Sequence, residues 1–274
     1  MKRLASLFML LVLAVSLFAC SASAKPVEST TSAPEATATL EATEAPTPAA
    51  TEAPKVITFT DANLEDAVRT ALNKPDGDIT VAETEAITVL NLQNADWDAM
   101  NAENGGIKDI SDLKYFPNLK ELHLDFNDVQ DLSPLSNLTN LETLSFNAVR
   151  VKDLSPLASL TKMVNICFDW SYAPDQGFNG YPNIDFVKSM PDLEIFEAKN
   201  AGLVDISPLV GLPKLWSVFI TDNQIMDSSP LAQIKTLQEF MIGNNPIADY
   251  SALEPYHEVF PNLYEGFQPD VNLK

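Results

Sequence analysis

The sequence is short of the residues from which catalytic and nucleic-acid-binding sites are usually assembled. It has two histidines, of which His257 lies in a degraded C-terminal repeat far along the stack, and no Ser-His or Cys-His pair with His123 is expected. Its nine glycines form no Gly-rich phosphate loop. Lys and Arg number 17 against 38 Asp and Glu, a net charge of −21, so nucleic acid is not an expected partner. That charge also disfavours contact between a folded domain and an anionic membrane surface, and points to a partner that is neutral, basic or bridged by cations. Long apolar runs are missing after the first one, Leu4 to Ala19. At about 16 residues it falls short of the roughly 20 that span a bilayer.

That run follows the basic start Met1-Lys2-Arg3 and reads as a secretory signal over residues 1–19. It ends Leu17-Phe18-Ala19-Cys20, which resembles the bacterial lipobox, although Phe18 departs from the small residue usual there. The resemblance implies cleavage before Cys20, a lipid on its thiol and anchoring on the extracellular face of a bacterial cell membrane. With Cys20 so used only Cys167 remains, and no intramolecular disulfide is expected. Residues 20–55 are almost all Ala, Thr, Ser, Pro and Glu, a composition that cannot bury a core. As an extended spacer of about 3.1 Å per residue, they would reach on the order of 100 Å.

From there on the chain repeats. The Pro of a Ser-Pro step recurs at Pro134, Pro156, Pro208 and Pro230, with gaps of 22, 52 and 22, where 52 is one ordinary unit plus one of 30. Each unit carries L-x-x-L-x-L-x-x-N-x-I, as in Leu119, Leu122, Leu124, Asn127 and Val129. A fixed period with this pattern predicts a leucine-rich repeat solenoid over residues 87–263. The fold class is an α/β solenoid: a right-handed curved stack with a parallel sheet on its concave side and 3₁₀ or irregular turns on its convex side. The DLSPL blocks supply those turns, with Ser133, Ser155, Ser207 and Ser229 expected to cap them ahead of the proline. Asn127, Asn223 and Asn245 should bond the backbone at the strand exit. Val149, Ser171 and Ala201 replace that Asn in the middle units, which predicts looser or altered turns there.

A solenoid must cover its exposed ends. Residues 56–86 read as a helical cap, with Thr60 and Asp61 opening a helix through Leu72 and a Thr80 to Glu83 capping box opening a second. Residues 264–274 read as the tail beyond the last degraded unit. The run ITFTDANLEDAVRTALNKPDGDIT followed by DISPL-type turns resembles the internalin-like bacterial leucine-rich repeat proteins over residues 56 to about 263. That resemblance implies a concave face that binds another protein.

The x positions of L-x-x-L-x-L should line that face. Candidates for ligand contact are Glu121, His123, Asp125, Asp169, Ile195, Glu197, Phe219 and Met241, acidic towards the front and more apolar towards the back. Two units are overlong after the strand. Insertions near 96–106, with Trp97 and Met100, and near 170–182, with Trp170, Tyr172, Phe178 and Tyr181, predict an aromatic rim for a protein or a glycan. The opposing reading is that these rings fold down and seal a widened coil. Glu121, His123 and Asp125 alternate along one strand, yet no metal or cofactor is expected. Nothing basic flanks Cys167 in sequence to activate its thiol. The expectation is a monomeric, non-catalytic surface protein that works by binding a protein; the alternatives are glycan or cell-wall binding through the aromatic rim and, behind it, a metal-dependent enzyme.

Overall fold

The computed structural model describes residues 54–94, 106–254 and Tyr256. The signal, Cys20, most of the linker, Trp97, Met100, His257 and the C-terminal tail lie outside the described residues. No helix among the described residues is long and apolar enough to cross a membrane.

The front is helical for the reasons its sequence advertises. Asp61 caps α1 (Ala62–Ala71), where Oδ1 accepts from the N–H groups of Asn63 and Leu64 at 2.9 and 3.1 Å. Its Oδ2 accepts from Lys108 and Asp109 at 2.8 and 3.0 Å, so one carboxylate ties the cap to the first turn of the solenoid. Leu64 and Val68 are buried on one face, as the 3.6-residue period requires. Thr80 and Glu83 form the capping box of α2 (Val81–Glu85). Because four backbone donors converge on Asp61, Asp61→Ala should cost about 2–4 kcal/mol in urea denaturation. A loss no larger than that of an ordinary exposed Asp would contradict this account.

Seven three-residue strands follow: β1 (Val89–Asn91), β2 (Glu121–His123), β3 (Thr143–Ser145), β4 (Asn165–Cys167), β5 (Ile195–Glu197), β6 (Ser217–Phe219) and β7 (Glu239–Met241). They pair in parallel and in sequence order, with Val89, Glu121, Thr143, Asn165, Ile195, Ser217 and Glu239 in one register row. The middle residue of each strand, from Leu90 to Phe240, points into the core and is buried. The structure is the leucine-rich repeat solenoid that the period predicts. Short 3₁₀ turns such as Ser133–Asn137 and Ser155–Ser159 return the chain on the other side, and one of them tightens into α3 (Ser229–Gln233).

Two local expectations are corrected. The serines of the DLSPL blocks do not cap the turns. The preceding aspartates act instead: Asp131, Asp153, Asp205 and Asp227 each accept from the N–H of the Ser two residues on at 2.8 Å, and from its hydroxyl. An Asp side chain has two acceptor oxygens and the geometry for this Asx turn, and it uses up the Ser hydroxyl. The middle turns are not altered either. Phe126, Ala148, Trp170, Asn200, Asp222 and Asn244 occupy the left-handed region at one equivalent point, with φ between 50° and 64°. Asn127, Asn223 and Asn245 brace that bend as predicted. Between Asn127 and Asn223 a second ladder, two residues earlier in each coil, shares the bracing with the Ser171 hydroxyl, which donates to the Val149 and Phe168 carbonyls. Asp125 accepts from the N–H of Asn147, Asn147 from that of Asp169, and Asp169 from that of Lys199, each at 2.7 Å.

Around Phe168 the core is aromatic. Its ring stacks on Phe146 at 5.2 Å and meets Tyr181 and Phe196 edge-on, each at 5.5 Å.

Candidate functional site

The sheet face is where the solenoid offers side chains that the core does not need. Many of them are committed to each other. Parallel strands about 4.8 Å apart bring residues of one register row within hydrogen-bonding reach, so polar neighbours close on one another. Asp125, Asp169 and Glu197, expected to line an open surface, are buried in this way. Glu121, His123, Ile195 and Phe219 keep partial exposure, and Met241 is 46% exposed.

The front half carries a continuous chain of hydrogen bonds. Glu121 Oε1 lies 2.8 Å from His123 Nε2, His123 Nδ1 lies 2.8 Å from Ser145 Oγ, and Ser145 Oγ donates to Asp125 Oδ2 at 2.7 Å. Burial raises the Asp125 carboxyl above the usual range, while the Asn147 N–H and the Ser145 hydroxyl pull it back. Ser145 is 1% exposed, so its hydroxyl is not presented to a substrate.

Across β4 and β5 sits a second cluster, which sequence reading did not assemble. Cys167 Sγ is 3.1 Å from Asn147 Oδ1, and Lys199 Nζ stands 3.2 Å from Asp169 Oδ2 and 3.3 Å from Glu197 Oε2. Glu197, fully buried, has its carboxyl pushed up to about 7, chiefly by desolvation, with the Lys199 ammonium pulling the other way. Desolvation likewise raises Asp169. Burial works against the Lys199 charge, but Asp169 and Glu197 outweigh it and raise its pKa. Lys199 also lies over the Phe219 ring, 5.6 Å from its centre. The signal for this cluster was present in the period. Asp125, Asn147, Asp169 and Lys199 share one template position, as do His123, Ser145, Cys167 and Glu197, so register alone stacks them.

The rim formed by residues 170–182 divides. Tyr181 turns inward, 4% exposed, with its hydroxyl donating to the Val149 carbonyl at 3.0 Å. Phe178 packs edge-on against it at 5.2 Å. These two rings take the sealing arrangement in place of the exposed rim. Trp170 and Tyr172 keep partial exposure at the strand exit. The loop is pinned where two glycines meet: a Cβ on Gly180, whose φ is +77°, would lie 2.3 Å from the Ala201 carbonyl oxygen and 2.6 Å from the Gly202 Cα. Both obstacles are backbone and cannot yield cheaply. Gly180→Ala should therefore lower stability by about 3 kcal/mol or more, combining overpacking with the left-handed penalty. An unchanged urea midpoint would refute that contact.

The sheet and its bordering turns define a leucine-rich repeat protein, and a family model for leucine-rich repeats (two copies) matches residues 117–159. Within that class the chain is internalin-like. It is similar to an internalin (inlF) from Listeria monocytogenes, with 29% identity and a TM-score of 0.59, covering 75% of this chain and 63% of that one. It is also similar to an internalin C2 (inlC2) from the same organism, with 27% identity and a TM-score of 0.56, over 75% of this chain and 90% of that one. The chain thus spans less than two thirds of the first of these internalins. No curated protein matches the sequence. Leucine-rich repeat domains generally bind protein partners, using the extended surface that stacking creates.

Proposed function

We propose that the chain is a non-catalytic adhesion or recognition protein of the bacterial cell surface. It binds a protein partner across the sheet face and the Trp170–Tyr172 rim, and a lipid on Cys20 holds it to the membrane. The observation that carries this reading is the locked sheet face itself. The half-exposed Glu121, His123 and Lys199 are held by hydrogen bonds and ion pairs, partly to buried neighbours, so a partner meets polar side chains with little entropy left to lose. The partly exposed Ile195 and Phe219, the exposed Met241 and the rim aromatics supply the apolar anchors that dominate such interfaces. The burial of Ser145 supports binding over turnover.

A glycan partner is the second reading, favoured by a cleft of about 350 Å³ lined by Lys152, Asp153, Ser155, Tyr181, Asn183 and Asp185. Its charged and amide groups suit sugar hydroxyls.

The test is capture of surface proteins and of wall glycans by the full chain and three variants. Joint replacement of Trp170 and Tyr172 by Ala should weaken protein capture at least about tenfold. Glu121→Lys should mainly alter the association rate and its salt dependence. Capture of glycan alone, insensitive to both changes and lost on Asn183→Ala, would transfer the function to the cleft. Capture of nothing would remove the binding reading.

A further inference from the structure

We propose that Cys167, Asp169 and Glu197 form a site for a thiophilic divalent cation of the zinc class, in which the Lys199 ammonium stands when no metal is bound. One ligand atom from each of the three residues lies within 4.8 Å of the others, and all three residues are buried. A thiol with two carboxylates suits zinc-class ions in preference to calcium or magnesium, which take oxygen ligands alone.

Two features separate this cluster from an ordinary ion pair. Glu197 is fully buried, yet only its Oε2 is engaged, by Lys199 at 3.3 Å, and its Oε1 has no hydrogen-bond partner, so the carboxylate keeps donor capacity for a metal. Asp169 Oδ2 is likewise buried with no hydrogen-bond partner and stands 3.2 Å from the Lys199 ammonium, so a second carboxylate oxygen is open to the ion once Lys199 moves. Binding releases the thiol proton to solvent and involves no redox change.

Asn147 Oδ1, beside the sulfur at 3.1 Å, is in place as a fourth donor. Zn–S and Zn–O bonds of about 2.3 and 2.0–2.2 Å put tetrahedral ligand atoms roughly 3.5 Å apart, so the cluster would contract by about 1 Å around the ion. Lys199, with 18% of its side chain exposed, is the member that reaches solvent and can swing outward. The ion would then clip β4 to β5, the two strands separated by the overlong 30-residue unit.

The test uses the full chain carrying Cys20→Ser, which leaves Cys167 as its one thiol, with Co²⁺ as the probe. The expected result is a thiolate-to-cobalt charge-transfer band that saturates at one ion per chain and is displaced by Zn²⁺. It should vanish with Cys167→Ser and weaken in affinity at least about tenfold with Glu197→Gln. Absence of the band in the folded Cys20→Ser chain overturns the proposal and leaves Lys199 as the permanent counter-ion. A band that survives Cys167→Ser overturns it equally. Should Cys167→Ser fail to fold, X-ray absorption on the Cys20→Ser chain decides: one sulfur ligand on the metal supports the site, and none overturns it.

Discussion

Lys199→Met is expected to destabilise the protein by about 3–5 kcal/mol at pH 8 and by much less at pH 5. The substitution removes the one ammonium that faces the buried carboxylates of Asp169 and Glu197, and a buried charge stripped of its partner costs about that much. At pH 5 Glu197 escapes the penalty by taking up a proton, because its carboxyl is held near 7 against an ordinary 4.5. A carboxyl whose pKa is raised on folding contributes stability that is full below the unfolded value and lost as pH rises through the folded one. In the parent protein this group alone should therefore take away about 3 kcal/mol between pH 4.5 and pH 7, at about 1.4 kcal/mol per unit. Glu197→Gln should abolish that slope and raise stability at pH 8. Urea denaturation of the parent and both variants at the two pH values reads the effect. An equal loss for Lys199→Met at pH 5 and pH 8 would show that the ammonium does not act through Glu197.

Phe168→Ala should cost about 3–5 kcal/mol, the range for emptying a packed aromatic site. The Phe168 side chain is fully buried, with the rings of Phe146, Tyr181, Phe186 and Phe196 around it. None of these neighbours can collapse into the vacancy without leaving its own coil, so the cavity term adds to the transfer term. At roughly 2–4 °C per kcal/mol for a domain of this size, the melting temperature should fall by about 10 °C. Phe178→Ala, which removes a partly exposed ring at the edge of the same cluster, should shift it by less than half as much. Equal shifts would mean that the cluster is not centred on Phe168.

The solenoid was legible because its signal is repeated. Each apolar position of the template recurs, so an isolated departure such as Ala201 for Asn hardly weakens the pattern. The helical cap was legible for a different reason: Asp61, Thr80 and Glu83 act within their own turns, where spacing and chemistry suffice. What sequence reading missed were contacts between coils that depend on which of two competing acceptors wins. The DLSPL serines lost the turn to their aspartates. Alternation places Asp125, Asp169 and Glu197 on the sheet face, but it says nothing about whether a neighbour from the next strand lies over them. Lys199 decides it for Glu197 and for Asp169, which it reaches across 30 residues of chain, and Ser145 and Asn147 decide it for Asp125. The inward turn of Tyr181 hinges on Gly180 sitting against Gly202, a backbone contact that no side-chain pattern announces.

The Asp125–Asn147–Asp169–Lys199 ladder also bears on how the molecule would come apart under load. Each coil otherwise leans only on its immediate neighbours, so a stack of this kind frays from its ends. The ladder laces four successive coils with three charge-assisted or amide bonds to the main chain, and those coils should yield together as one mechanical block. A steady pull on both termini would peel the coil of β7 first and then that of β6. The laced segment would hold until a single larger event released it. A load applied to those coils would fall on the part of the protein that gives way last.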